Sequence, residues 1–103
     1  APGVPNDGVT KYAFEAITDL GFPEPKYGGG HQLGRAVHDG GVGLLSYLAP
    51  VPGQVMKRGN VFTVEGLETR IAPWGWVSLE EDVVVTETGC EVLTERQTEL
   101  WCV

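Results

Sequence analysis

The chain has 103 residues, 42% of them hydrophobic and 20% charged, with a formal net charge of −7 at pH 7. That size and mix suit a single globular domain, residues 1–103, rather than a disordered chain. Seven basic residues against fourteen acidic ones argue against nucleic acid, and no apolar run approaches the roughly 20 residues of a membrane span. Cys90 and Cys102 are the only cysteines and form no CxxC pair. A reducing, cytoplasmic setting is the simpler reading, with a disulfide between them left open. Ala1 to Gly8 lacks the basic and apolar regions of a signal peptide, and the only methionine is Met56. The sequence therefore reads as starting inside a longer frame.

In chain order, Pro2, Gly3 and Pro5 make an irregular entry. Asn6 or Asp7 is placed to cap a helix whose apolar positions Val9, Ala13, Ala16, Ile17 and Leu20 recur at helical spacing. Gly21, followed by Phe22 and Pro23, predicts a Schellman-type ending. From Tyr27 to Gly34 glycine is so dense that the backbone is expected to approach a ligand or another strand closely, as a strand and bend. Residues 40–52, broken by Gly41, Gly43, Pro50 and Pro52, predict a loop that packs part of itself through Leu44, Leu45, Tyr47 and Leu48 and forms one lip of a cleft.

Lys57 to Asn60 predict a turn into a β-branched and aromatic strand ending at Glu65. Period two sets Val61, Thr63 and Glu65 on one face and Phe62 and Val64 on the other. Val77 to Thr86 reads as a further strand, with Ser78, Glu80 and Asp82 opposite Leu79, Glu81 and Val83. Glu87, Thr88 and Gly89 predict a bulged three-residue connection into Cys90 to Thr94. The tail, with Leu100, Trp101 and Val103, is expected to add a final strand.

Four side chains stand out. His31 and His38 lie in Gly-rich stretches ill suited to core packing, and Asp39 follows His38 as a candidate orienting carboxylate. Glu65 ends a run that otherwise favours burial, where a carboxylate must be paired or bound to metal. Glu80 raises the same question. One imidazole and two carboxylates are a ligand set for a hard-to-borderline divalent metal.

The segments GGGHQLGRAVHDG, GNVFTVEG and VSLEEDVVVTETGCEVLT, in that order and spacing, resemble the C-terminal half of the pita-bread metallopeptidase family, which includes aminopeptidase P, prolidase and methionine aminopeptidase. The opening APGVPNDGVTKYAFEAI is similar to that family's PG turn and helix, and TERQTELWCV to the endings of its prolidase-like branch. The fold implied is α+β: a curved antiparallel sheet with one N-terminal helix packed on it, as a partial catalytic domain. By the resemblance, His31 binds one of two metal ions, Glu80 bridges both, Glu65 binds metal and serves as the acid-base group, and His38 faces the scissile peptide. The implied metal is Mn, Co, Fe or Zn.

The chain departs from the family pattern in places. Ser78 stands where prolidase-like members carry Arg, Arg58 stands at a position often held by Pro, and Gly66 replaces the Pro after Glu65. The family's two Asp ligands fall before the matching region and have no counterpart in this sequence. The resemblance thus implies the C-terminal portion of a dinuclear-metal aminopeptidase or dipeptidase acting on Xaa-Pro peptides, inactive by itself and holding at most one weakly bound ion. Two other readings keep the fold: a peptide- or protein-binding module, and a creatinase-like hydrolase that uses no metal. Half of a two-fold fold would expose a sheet edge, so a homodimer covering that surface is expected.

Overall fold

The predicted N-terminal helix forms as α1, Asn6–Asp19. Its start differs from expectation: Pro5, extended at φ −71° and ψ 145°, takes the capping position, and no side chain caps the helix. Asn6 is instead drawn into the interior, where its Nδ2 donates to the Gly43 carbonyl at 2.7 Å and its backbone N–H to the Gln54 carbonyl at 2.8 Å. A long-range bond has displaced the local one. The far end follows the sequence, with Gly21 at φ 86°, its N–H on the Thr18 carbonyl and the Phe22 N–H on that of Ile17, a complete Schellman motif.

A computed structural model describes residues 1–25, 28–44, 53–65, 69–71, 73 and 75–102. Along these run β1 (Gln32–Leu33), β2 (Val61–Val64), β3 (Thr69–Ile71), β4 (Gly75–Val77), β5 (Glu81–Val85) and β6 (Cys90–Val92). A four-stranded sheet has the order β1-β2-β5-β6, every neighbour antiparallel, while β3 and β4 pair separately. The core holds Leu44, Met56, Phe62 and Val85, with Val4, Val9, Val42, Val64 and Val83 packed against it. Val9 brings α1 onto this core, and the α+β expectation of one helix on an antiparallel sheet holds. Along the rest of the predicted stripe Ala13, Ala16 and Ile17 are half-buried and Leu20 is exposed.

The Lys57–Asn60 turn is tied by its own residues: Asn60 Oδ1 accepts from the Lys57 N–H at 2.8 Å and the Asn60 N–H returns to the Lys57 carbonyl at 3.0 Å. Phe62 and Thr63 are both buried although they point opposite ways, Phe62 in the core and Thr63 against the backbone of Gly30 and His31. Of the 40–52 stretch, Leu44 is buried as expected, while Leu45, Tyr47 and Leu48 lie outside the described residues, as do Tyr27, Gly66 and Val103.

Three expectations are corrected. Val77 to Thr86 is two strands: Val77 pairs with Thr69, whereas Glu81 starts a ladder with Val64, and residues 78–80 cross between the sheets. Alternation shows a strand but not its partner. The β5–β6 connection has four residues, since Val85 pairs with Cys90, and Gly89 is not left-handed; the Thr86 hydroxyl accepts its N–H instead. Leu100 and Trp101 join no strand and are exposed, and Cys90 and Cys102 are free. Among the described residues no helix is long and apolar enough to cross a membrane.

Candidate metal centre

Strand register decides which side chains meet. β1 pairs Gln32 with Phe62, which sets His31 beside Thr63 one rung on; the Thr63 N–H donates to the His31 carbonyl at 2.9 Å and the His31 N–H to Thr63 Oγ1 at 3.1 Å. β2 pairs Val64 with Glu81, so the next rung sets Glu65 opposite Glu80. Residues two apart share a face and diagonal partners lie within reach. His31, Thr63 and Glu65 therefore gather on one face, with Asp82 paired to Thr63 across the ladder.

The approach of His31 depends on glycine. Gly30 has φ +117°, and a Cβ there would collide with the Thr63 carbonyl group, 2.7 Å from its carbon. The Gly29 N–H meanwhile donates to the Glu65 carbonyl at 2.8 Å. The close backbone approach expected of this stretch is thus made to β2.

His31 is buried and its Nε2 lies 3.1 Å from Glu65 Oε1. Its Nδ1 lies 3.3 Å from the Gln32 carbonyl oxygen. Both ring nitrogens thus face acceptors, an arrangement met either by an imidazolium or by an Nδ1–H tautomer with a cation between Nε2 and the carboxylate. A backbone carbonyl on one nitrogen is also how a metal-ligating imidazole is commonly oriented. The ring of His38 sits over that of His31, centroids 4.2 Å apart and planes tilted by 39°.

Glu80 is exposed overall, yet its carboxyl is held above its usual range. Partial desolvation contributes most, followed by the negative charges of Glu65 and Asp82, while His31 pulls the other way. Glu80 thus feels both other predicted ligands. Among the described residues, however, no group of three or more His, Cys, Asp or Glu side chains is arranged to hold a metal ion. The donor set fits a divalent ion in kind, and the two acceptors around His31 favour a cation there. In number and closure it falls short: His31 and Glu65 are in contact, and Glu80 interacts with them through charge.

Sequence reasoning missed Thr63, which anchors His31; its signal was a hydroxyl on the Glu65 face of an otherwise apolar strand. Asp39 does not touch the His38 ring in the way an orienting carboxylate would; its oxygens accept the Arg35 and Ala36 N–H groups.

With this geometry, the family model described as metallopeptidase family M24 matches residues 1–87. The chain belongs to metallopeptidase family M24. A methionine aminopeptidase of Haemophilus influenzae is 34% identical over 87 residues, covering 69% of this chain and 32% of the relative. Among solved structures, a dipeptidase from Pyrococcus horikoshii OT3 is similar with a TM-score of 0.75 at 30% identity, covering 95% of this chain and 26% of that one. An Xaa-Pro dipeptidase from Bacillus anthracis gives a TM-score of 0.73 at 30% identity, with 96% and 26% covered. The chain thus spans about a third of the curated relative and about a quarter of each structure. Its sheet and helix are those of the pita-bread M24 enzymes, a family of peptidases that generally employs divalent metal ions.

Proposed function

We propose that these 103 residues supply the His- and Glu-bearing portion of a dinuclear-metal aminopeptidase or dipeptidase that hydrolyses Xaa-Pro peptides. The contact of His31 with Glu65, at the sheet end that also carries Glu80, supports this reading most directly. His31, Glu65 and Glu80 would hold metal, and the group when bound lowers the pKa of its water and polarises the substrate carbonyl. Glu65 doubles as the acid-base group. His38, exposed and with its ring beside that of His31, would face the scissile peptide and help hold the substrate.

One imidazole and two carboxylates are too few for two ions, so the 103 residues alone bind at most one ion weakly and turn nothing over. The edge strand β6, with Val92 and the following Leu93 exposed, supports a homodimer that covers this edge. The free thiols of Cys90 and Cys102 favour a cytoplasmic setting.

Titration with Co(II), followed by its visible absorption, together with an Ala-Pro hydrolysis assay, tests the reading. Co(II) bands that disappear in His31→Ala and Glu65→Gln, with no turnover by the 103 residues, are expected. Bands unaffected by both substitutions, or none with the unsubstituted chain, overturn the metal assignment. Robust hydrolysis overturns the claim of incompleteness. A monomer in light scattering at tens of micromolar removes the dimer.

A further inference from the structure

The loop that follows β1, from Gly34 to Gly41, is exposed and holds no strand or helix of its own. Such a stretch ordinarily samples many conformations. Here it is tied at both ends by side chains. At the near end Asp39 spreads its carboxylate over two backbone donors, Oδ2 accepting from the Arg35 N–H at 2.5 Å and Oδ1 from the Ala36 N–H at 3.1 Å. At the far end Gln32 Oε1 accepts from the Val42 N–H at 3.1 Å.

A glycine sits under each tie. Gly34 does not have a positive φ, so its backbone asks for no glycine; a Cβ there would strike the Asp39 carboxylate, 2.8 Å from Cγ. A Cβ on Gly41 would lie 2.6 Å from Gln32 Oε1. The space left at Gly34 is thus space for the Asp39 carboxylate. Inside the turn that Asp39 closes, next to it in the chain, is His38, its ring 4.2 Å from that of His31.

We infer that Asp39 is a positioning residue: by latching the Arg35 and Ala36 amides in the room that Gly34 leaves, it folds the loop so that the His38 imidazole is presented over His31. The use made of His38 rests on the peptidase reading; the latch itself does not. Asp39 works through the backbone and touches no substrate.

The chain has two histidines, so the two imidazoles are assigned in an NMR spectrum without ambiguity. The cross-relaxation peak between the rings, recorded without metal or substrate, reads the latch directly. Asp39→Ala removes two charge-assisted bonds and is expected to weaken that peak about tenfold or more. Gly34→Ala keeps the carboxylate but displaces it and is expected to act alike, while Asp39→Asn, with one acceptor oxygen left, falls between. The cross-strand peaks between Phe62 and Val83 should stay unchanged in all three. If Asp39→Ala loses those as well, Gly34→Ala decides. A ring-to-ring peak of full strength in the deciding variant, or none in the unsubstituted chain, overturns the latch. Loss of Co(II) binding with the peak intact would overturn the peptidase reading alone.

Discussion

The β2–β5 ladder ends in two different ways. At the Val61 end the chain closes on itself, with the Gly59 N–H on the Val85 carbonyl at 2.9 Å and the Val85 N–H on the Asn60 carbonyl at 2.8 Å. An ion pair, Arg58 to Glu87 at 3.3 Å, lies outside with side chains 71% and 73% exposed. At the Glu65 end the pair of His31 and Glu65 has nearly the same length, 3.1 Å, but the side chains are 11% and 31% exposed. Glu80 and Asp82 add negative charge there, and among the described residues no Lys or Arg side chain pairs with them. One end is finished by local turns that carry their own partners. The other accumulates partly desolvated acid around one imidazole, which costs stability and makes it the candidate functional end.

The largest test of that contrast is Gly30→Ala, which forces a side chain into the Thr63 carbonyl at a left-handed φ. A loss on the order of 3 kcal/mol is expected in urea denaturation. The same change at Gly59, left-handed but with open space around its Cβ position, should cost less. Equal losses at the two glycines would erase the distinction between an end built by close approach and one built by a turn.

Next is Thr63→Val, which keeps the shape but leaves the buried His31 N–H without its acceptor. About 1–2 kcal/mol should be lost, with faster exchange of the His31 amide. A neutral result would mean that Thr63 is not what anchors His31.

Glu80→Gln sharpens the comparison by sign. Because folding holds this carboxyl above its usual 4.5, the protonated form is favoured in the native state, and ionisation at neutral pH works against the fold. The substitution should therefore stabilise the metal-free chain at pH 7. The gain should shrink as pH falls through the raised value and be absent below 4.5, where the unfolded chain is protonated too. Thermal melts in chelator across that range check it; destabilisation at pH 7 would contradict the excess of acid at this end. Smallest is Arg58→Ala, expected to change stability by less than about 0.5 kcal/mol in the same melts, since its pair is solvated.

Elements whose causes are local were legible in the sequence. Helix α1, its glycine ending, the 57–60 turn and β2 all follow from spacing and turn chemistry within a few residues. Where distant residues compete, local reading failed: Asn6 left its cap for Gly43, and residues 77–86 divided between two sheets. The histidines and glutamates were singled out because of their setting, and the motif order carried the family. That Thr63 holds His31, and that Asp39 grips backbone rather than the His38 ring, was not visible, because such bonds are set by register and loop geometry.

The sequence by itself determined which donor residues are present, their order along the chain, and elements such as α1 and β2, since propensity, periodicity and glycine placement act over short range. Only the tertiary structure decided that Glu65 touches His31 while Glu80 reaches both through charge, and that His38 lies over its neighbour. The first depends on antiparallel register between β1, β2 and β5, which joins residues 17 to 30 positions apart and which alternation within one strand cannot specify, and the second on the loop that Asp39 ties.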